Sequence, residues 1–205
     1  MKKQKPFEPP PAENTADRIL EQSMKLFFQK GYHGTSIDDI TQATGVTKGA
    51  LYWHYRNKEE VLKRIIEEYE KRYLDSLIQA VKEVKGSALD KFGKFFRYNA
   101  AFPYYHPDLC VSFTTLSGEL VGAHHPIEPE IHRINKKHQK FLSELIRQGK
   151  KEKIFKKEID PDYAALVLIA FQSGSLLHWS MNRDEIEGKV YVDIGRKIML
   201  SGLMA

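Results

Sequence analysis

Cysteine is nearly absent from this chain of 205 residues, which contains one, Cys110. One cysteine cannot form an intramolecular disulfide, so a disulfide-stapled scaffold is excluded and a reducing compartment fits. Long apolar runs are missing too, because the best candidate for a membrane span, Tyr163 to Met181, is interrupted by Gln172, Ser173, Ser175 and His178. The Lys- and Pro-rich amino terminus lacks the apolar segment of a signal peptide. We therefore expect a soluble, cytoplasmic protein with no membrane partner.

Proline is absent from Ala12 to Phe102 and after Pro161. Long proline-free stretches with apolar residues three and four positions apart indicate helices. Asn-Gly and Asp-Gly hairpin signals are also missing, and the only strand-like pieces, 111–115 and 190–194, are short. The predicted fold class is therefore all-α.

The distribution of prolines and charges outlines the organisation of the chain. Four of the nine prolines and three lysines fall in residues 1–12, which we interpret as a flexible basic leader. The formal net charge of +5 permits nucleic-acid binding without establishing it. After a long helix from Asn57 to Val84, the pattern predicts helices over Ala88 to about Tyr105, Pro107 to Leu120, about Pro126 to Gln148, Pro161 to Met181, and Val190 to Leu203.

Residues 35–45 carry the signals of a short helix followed by a tight turn. Thr35 or Ser36 can cap the helix Ile37–Thr44, and Asp39 stands three after Ser36, as a capping box requires. Gly45, which can adopt a positive φ, ends the helix.

A second short helix begins after Thr47, which can cap it, and runs to about His54. Asn57 then caps the third. Two short helices at this spacing are typical of a helix-turn-helix, whose second helix fits the major groove of DNA. An ordinary helical corner is the alternative. Tyr52 and Trp53 side by side on a short helix argue against that corner, because exposed aromatics are costly unless they meet a partner.

The stretch Thr15 to Ile65, in particular ADRILEQSMKLFFQKGYHGTSIDDITQATGVTKGALYWHYRNKEEVL, resembles the DNA-binding domain of TetR-family transcriptional regulators. The resemblance rests on four sequence motifs: Gly-Tyr-x-x-Thr-Ser, Gly-Val-x-Lys-Gly, Leu-Tyr-x-His-Tyr and Asn-Lys-Glu-Glu. The resemblance covers about the first third of the chain. It implies a three-helix helix-turn-helix domain over residues 13–60 and a larger helical-bundle domain for ligand binding and dimerisation over 61–205. Thr41 and Thr44 depart from the alanines more usual in the family, and Trp53 is bulkier than usual there.

The resemblance also implies DNA contacts. It assigns phosphate contacts mainly to Thr35, Lys48, Tyr52, His54 and Lys58. It places base edges or thymine methyls against Thr47, Gly49, Ala50 and Trp53. Ser36 completes the predicted interface, whereas Tyr55 is expected to pack inside the small domain.

Residues 88–120 are dense in aromatic side chains, which at helical spacing form either plain core or the wall of a pocket. The resemblance favours a pocket for a small effector, and aromatic walls without a buried charge cluster indicate that the effector is apolar. The predicted lining comprises Phe96, Asn99, Phe102, Tyr105, Phe113, Leu116, His178 and Trp179. His125, Glu128 and His132 have a spacing that could hold a metal, but Pro126 and Pro129 disfavour a regular helix there. We therefore predict surface histidines, no metal and no cofactor.

Together these features predict a repressor that binds a palindromic operator of double-stranded DNA as a homodimer and is released by a small apolar effector. A DNA-binding protein without small-molecule control is the second interpretation. An enzyme is a distant third, because the chain contains no Walker loop, dinucleotide fingerprint or G-x-S-x-G elbow.

Overall fold

The computed structural model describes residues 14–205, so the predicted basic leader lies outside the described residues. Within this range the chain folds into helices, with one isolated antiparallel bridge between Phe155 and Met204 and no longer strand. The all-α prediction is confirmed. The helices are α1 (Thr15–Lys30), α2 (Ile37–Thr44), α3 (Lys48–His54), α4 (Lys58–Glu68), α5 (Ser76–Lys82), α6 (Ala88–Tyr105), α7 (Pro107–Leu120), α8 (Glu128–Lys151), α9 (Pro161–Met181) and α10 (Gly188–Leu203).

The ends of the helices follow from local side-chain chemistry. The carboxylate of Asp90 accepts from the backbone N–H of Ser87, whose hydroxyl oxygen in turn accepts from the Asp90 N–H, so a reciprocal capping box starts α6. Pro107 and Pro161 occupy the first turns of α7 and α9, where a missing N–H costs nothing. Gly31 ends α1 with a φ of 74°, a value that side chains other than glycine rarely adopt.

The long helix predicted from Asn57 to Val84 is not uniform. Between α4 and α5 the chain forms seven residues of π-helix, Tyr69–Asp75. The two tyrosines of this π segment, Tyr69 and Tyr73, are buried, and the ring of Tyr69 is stacked on Phe113 at 3.6 Å between centroids. The wider π turn therefore lies against the middle of the protein.

The small amino-terminal helices and the larger bundle share one hydrophobic core. α1 packs on α2, α4 and α7, and α8 packs along the length of α9. Ile19 and Phe27 of α1 are buried with Ile40 of α2 and Leu51 of α3. A buried hydrogen bond from the Ser112 hydroxyl of α7 to the Met24 carbonyl oxygen, 2.9 Å, fastens α1 to the bundle.

The last two long helices expose apolar surface. α9 is the only helix among residues 14–205 long and apolar enough to cross a membrane by length and composition, although Gln172 and Ser173 interrupt it, and 11% of its most apolar window is buried. The exposed apolar side chains of α9 and α10 are Tyr163, Leu166, Val167, Met181, Val190, Ile194 and Ile198.

Candidate nucleic-acid interface and effector cavity

The turn between α2 and α3 is built by local capping. Ser36 and Asp39 form the predicted capping box at the start of α2. Gly45 ends that helix in the left-handed region, with a φ of 69°. The Thr47 hydroxyl oxygen then accepts from the Ala50 N–H at 3.1 Å and begins α3. Because Ile40 and Leu51 are fully buried between the helices, the outer face of α3 is fixed relative to α1.

The outer face of α3 is exposed and carries most of the predicted DNA contacts. Trp53 is 82% exposed, although its ring packs edge-on against the imidazole of His54 at 4.5 Å. Tyr52 is half exposed beside it. The structure brings these residues to one exposed surface together with the predicted Thr47, Lys48 and Gly49, while Ala50 is half-buried beneath them.

Neither the packing nor the backbone conformation at Gly49 requires a glycine. A Cβ built there would meet only the Thr47 hydroxyl, at 3.8 Å, and its φ is outside the left-handed region. Glycine weakens a helix by about 1 kcal/mol relative to alanine. The residue therefore costs stability without serving the packing of the chain, which is expected where a backbone must closely approach a partner surface.

Thr35 does not lie on this surface. Its side chain is 1% exposed, and its hydroxyl donates to the carbonyl oxygen of Gly31 at 2.8 Å. The predicted phosphate contact by Thr35 therefore does not fit the structure, because the hydroxyl is already bonded inside the α1–α2 loop. Tyr55, by contrast, is buried as expected, at 8% exposure, with its hydroxyl donating to the Ala16 carbonyl oxygen.

Lys58, at the start of α4, uses part of its ammonium group for bonds inside the protein. Its ammonium donates to the carbonyl oxygens of Tyr32 and Thr35, each at 2.7 Å, and lies 4.2 Å from the centroid of the Tyr32 ring. Desolvation lowers its pKa from the ordinary lysine value. Lys48 is more open, and its ion pair with Asp38 at 2.6 Å raises the pKa of the lysine.

A cavity of about 490 Å³ lies among the π segment, α7, α8 and α9. Its apolar wall comprises Tyr69, Phe113, Leu166 and Ile169, and its polar lining comprises Thr114, Ser117, His132, Asn135, Lys136, His138, Gln139, Gln172 and Ser173. The volume is within the range of sites that hold one small molecule, and the lining is more polar than in most such sites.

The structure places one of the eight predicted pocket residues, Phe113, in the lining of this cavity. Phe96 and Leu116 are buried in the core, Asn99 bonds to Tyr73, and Phe102 is stacked on Tyr98. The remaining three lie elsewhere on α6 and α9: Tyr105 packs edge-on to Tyr104, His178 is stacked on Tyr191, and Trp179 contacts the Arg183 guanidinium.

Sequence reasoning missed His138 and Gln172. A signal existed for the first, because His138 falls four residues after Ile134 and three before Phe141, within the apolar stripe of α8. A histidine in such a stripe is fully desolvated, which lowers its pKa to about 4. Gln172 was noted only as an interruption of the apolar helix.

His125 and His132, candidate metal ligands by their spacing in the sequence, each contact another side chain. Residues 14–205 contain no group of three or more histidine, cysteine, aspartate or glutamate side chains able to hold a metal ion. His132 instead pairs with the Glu128 carboxylate at 3.3 Å, and His125 is edge-on to Tyr32 at 5.0 Å. Cys110 is buried, and burial raises the pKa of its thiol far above the usual range, so it packs as a small apolar side chain.

Residues 19–65 match the sequence model of the family described as bacterial regulatory proteins, tetR family. The chain is similar to the biofilm operon icaADBC negative transcriptional regulator IcaR of Staphylococcus epidermidis, with 38% identity over 63 residues, 31% of this chain and 34% of IcaR. It is similar to the transcriptional regulator AcrR of Shigella flexneri, with 41% identity over 56 residues, 27% of this chain and 26% of AcrR. These alignments thus span about a third or less of either curated relative.

The likeness of the whole fold extends further. The crystal structure of the MbdR regulator from Azoarcus sp. CIB superimposes with a TM-score of 0.85 and 26% identity, covering 94% of this chain and 100% of that one. All three of these proteins are described as regulators, and none is described as an enzyme.

Proposed function

Because this chain belongs to the TetR family of transcriptional regulators, we propose that it is a repressor that binds a palindromic DNA operator as a homodimer. The observation that carries the proposal is the outer face of α3, where Trp53 is 82% exposed beside Tyr52 and a glycine that packing does not require. A helix of this length reaches only a few base pairs, so useful specificity needs two copies on two half-sites. A regulator of transcription works beside the chromosome, which places it in the cytoplasm.

The dimer is proposed to form through α9 and α10. Three of their exposed apolar side chains, Tyr163, Val167 and Ile198, line an apolar cavity of about 390 Å³ together with Met199 and others. Gly174 is exposed with nothing within 4 Å of a Cβ built on it, which leaves room for a second helix to approach. This surface is of the kind that a second copy covers in a symmetric dimer.

The cavity of about 490 Å³ is the proposed place of a small apolar effector that releases the repressor from DNA. Two residues of the lining belong to segments that extend to the helix-turn-helix. Tyr69 directly follows α4, which begins at Lys58, and Phe113 lies in α7, which extends to the α1–α2 loop. A ligand shifts the equilibrium only if it binds the released conformation more tightly than the DNA-bound one.

The proposal is tested by selecting operators from random duplex DNA with the purified chain. We expect a palindrome with half-sites about one helical turn apart, roughly 34 Å. Trp53→Ala should select a different sequence at the positions that α3 reads, because an aromatic contact with the base edges is lost. Tyr104→Ala, which removes an exposed aromatic ring on α6, is the matched control and should select the original sequence.

Failure to enrich any duplex would overturn the DNA-binding function. Enrichment without release by any small apolar compound, measured by fluorescence anisotropy of the operator complex, would favour a DNA-binding protein without small-molecule control. The residual possibility of a helical enzyme has no supporting site among the described residues.

A further inference from the structure

Two polar atoms of the effector cavity are buried without a partner. Among residues 14–205, His138 Nε2 and Gln172 Oε1 accept or donate no hydrogen bond, and both side chains belong to the lining of the cavity of about 490 Å³. Buried polar atoms are hydrogen-bonded in the great majority of cases. Two unpartnered atoms on side chains that line one cavity are therefore candidates for hydrogen bonds to a ligand.

A chain of hydrogen bonds fixes which end of Gln172 is free. Asn99 Nδ2 donates to the carbonyl oxygen of Phe95 at 2.8 Å, which leaves Asn99 Oδ1 to accept from the Tyr73 hydroxyl. A hydroxyl has one proton to donate, so Tyr73 must accept from Gln172 through Nε2. The free end of Gln172 is therefore the carbonyl oxygen, which can only accept.

His138 provides the complementary group. It is 4% exposed, and desolvation lowers its pKa to about 4, so the imidazole is uncharged near neutral pH. A neutral imidazole can carry its proton on Nε2 and donate from there. Among the polar residues of the lining, Gln172 thus has an unused acceptor and His138 an unused donor, and both lie in a cavity whose apolar wall includes Tyr69 and Phe113.

We propose that the cavity selects an uncharged, mostly apolar molecule that carries a hydroxyl group. The hydroxyl donates its proton to Gln172 Oε1 and accepts from His138 Nε2, so that one oxygen satisfies both atoms. Lys136, which also lines the cavity, would attract a carboxylate, but a carboxylate has no proton to donate to Gln172 Oε1, so a carboxylate probe tests the proposal directly. The proposal rests on the proposed function only in taking this cavity as the effector site.

Four naphthalene probes of similar size separate the possibilities, and calorimetric titration of the full chain without DNA measures their affinities. We expect 2-naphthol to bind at least about tenfold more tightly than 2-methoxynaphthalene, which accepts but cannot donate, because the ether leaves Gln172 Oε1 unpaired. Naphthalene and 2-naphthoate should also bind more weakly than 2-naphthol. Equal affinity for naphthol and its methyl ether, or tightest binding of the naphthoate, overturns the proposal.

Variants at Gln172 test the assigned atom. Gln172→Met removes the acceptor at similar length, and the tenfold preference for naphthol over the ether should fall to about one while naphthalene affinity stays unchanged. Gln172→Glu keeps an acceptor and should retain the preference, which guards against an unfolded methionine variant. Gln79→Met changes an exposed glutamine of α5 that does not line the cavity, and this variant should behave as the native chain. A preference that survives in Gln172→Met overturns the assignment.

Release of DNA is measured separately, so that the two proposals can fail independently. Preference for the hydroxyl without release from the operator would leave this site standing and overturn the effector role of the cavity. Release by apolar compounds that shows no preference for a hydroxyl would leave the repressor standing and overturn the present proposal.

Discussion

Lys58 holds the α1–α2 loop and keeps one N–H group for its proposed phosphate contact. A lysine ammonium has three N–H groups, and two of them are used on the carbonyl oxygens of Tyr32 and Thr35. The third remains for a phosphate at the amino terminus of α4, where the free backbone N–H groups already attract anions. The structure therefore adds a positioning role, because Lys58 ties the α1–α2 loop to α4.

Lys58→Ala is expected to weaken binding to all DNA sequences alike and to reduce the slope of log affinity against log salt concentration by about one. It should also lower the free energy of unfolding by about 1–2 kcal/mol, since two buried carbonyl oxygens lose a charged donor. Salt titrations of an operator complex and urea unfolding measure the two effects. Lys82→Ala, at the far end of α5, is the control, and an unchanged slope in Lys58→Ala would contradict the phosphate contact.

Residue roles were predictable where the cause is local. The caps at Ser36, Thr47 and Asn57 lie as expected, because a cap bonds to backbone three residues away. Thr35 was misplaced because the sequence does not show which of two adjacent hydroxyls turns inward. Most of the cavity lining escaped prediction for a different reason, because it is assembled from four segments that are distant along the chain.

The π segment illustrates what periodicity can reveal at the scale of an element. Tyr69, Tyr73, Leu77 and Val81 are each four residues apart and all buried. In an α-helix of 3.6 residues per turn each such step overshoots by about 40°, so the stripe would drift away from the core. A wider turn at Tyr69–Asp75 keeps these residues on one side. The run of four-residue spacings was visible in the sequence, but the general helical pattern hid its meaning.

α7 forms a second connection between the cavity and the helix-turn-helix. Phe113 and Ser117 line the cavity, and two residues further on the Glu119 carboxylate accepts from the backbone N–H groups of Tyr32 at 2.8 Å and His33 at 3.0 Å. Lys58 therefore bonds to carbonyl oxygens of the α1–α2 loop, and Glu119 bonds to N–H groups of the same loop. A shift of α7 is expected to reach the α1–α2 loop directly.

Glu119→Gln tests this connection, because an amide has one oxygen where the carboxylate has two. We expect the amide hydrogens of Tyr32 and His33 to exchange about tenfold faster and operator affinity to fall severalfold, since a charged hydrogen bond contributes about 1.5–3 kcal/mol. Hydrogen exchange read by NMR and operator titration measure the effects. Glu67→Gln, on the exposed side of α4, is the control. Native exchange rates in Glu119→Gln would show that α7 does not restrain the loop.

At the scale of the whole molecule, the exposed face of α3 and the exposed face of α9 and α10 differ in chemistry, and we expect them to bind different partners. The face of α3 is aromatic with polar donors around it, as a contact with base edges requires. The face of α9 and α10 is mainly aliphatic, with Tyr163 as an aromatic member, and it includes part of the lining of the apolar cavity of about 390 Å³. In a dimer with two-fold symmetry every residue of this face is used twice, so one charge placed there is desolvated in both copies.

Ile198→Asp is therefore expected to convert the protein from a dimer to a folded monomer. Ile198 is 61% exposed in the single chain and lines the apolar cavity of α9 and α10. Loss of an interface anchor costs about 2 kcal/mol per copy, or roughly 4 kcal/mol per dimer, which raises the dissociation constant by about a thousandfold. Sedimentation at micromolar concentration should give a monomer with native helix content, and operator affinity should fall in parallel because the two half-sites are no longer bound together. Leu89→Asp, at an exposed apolar position on α6 outside this face, should remain dimeric; a dimeric Ile198→Asp would place the interface elsewhere.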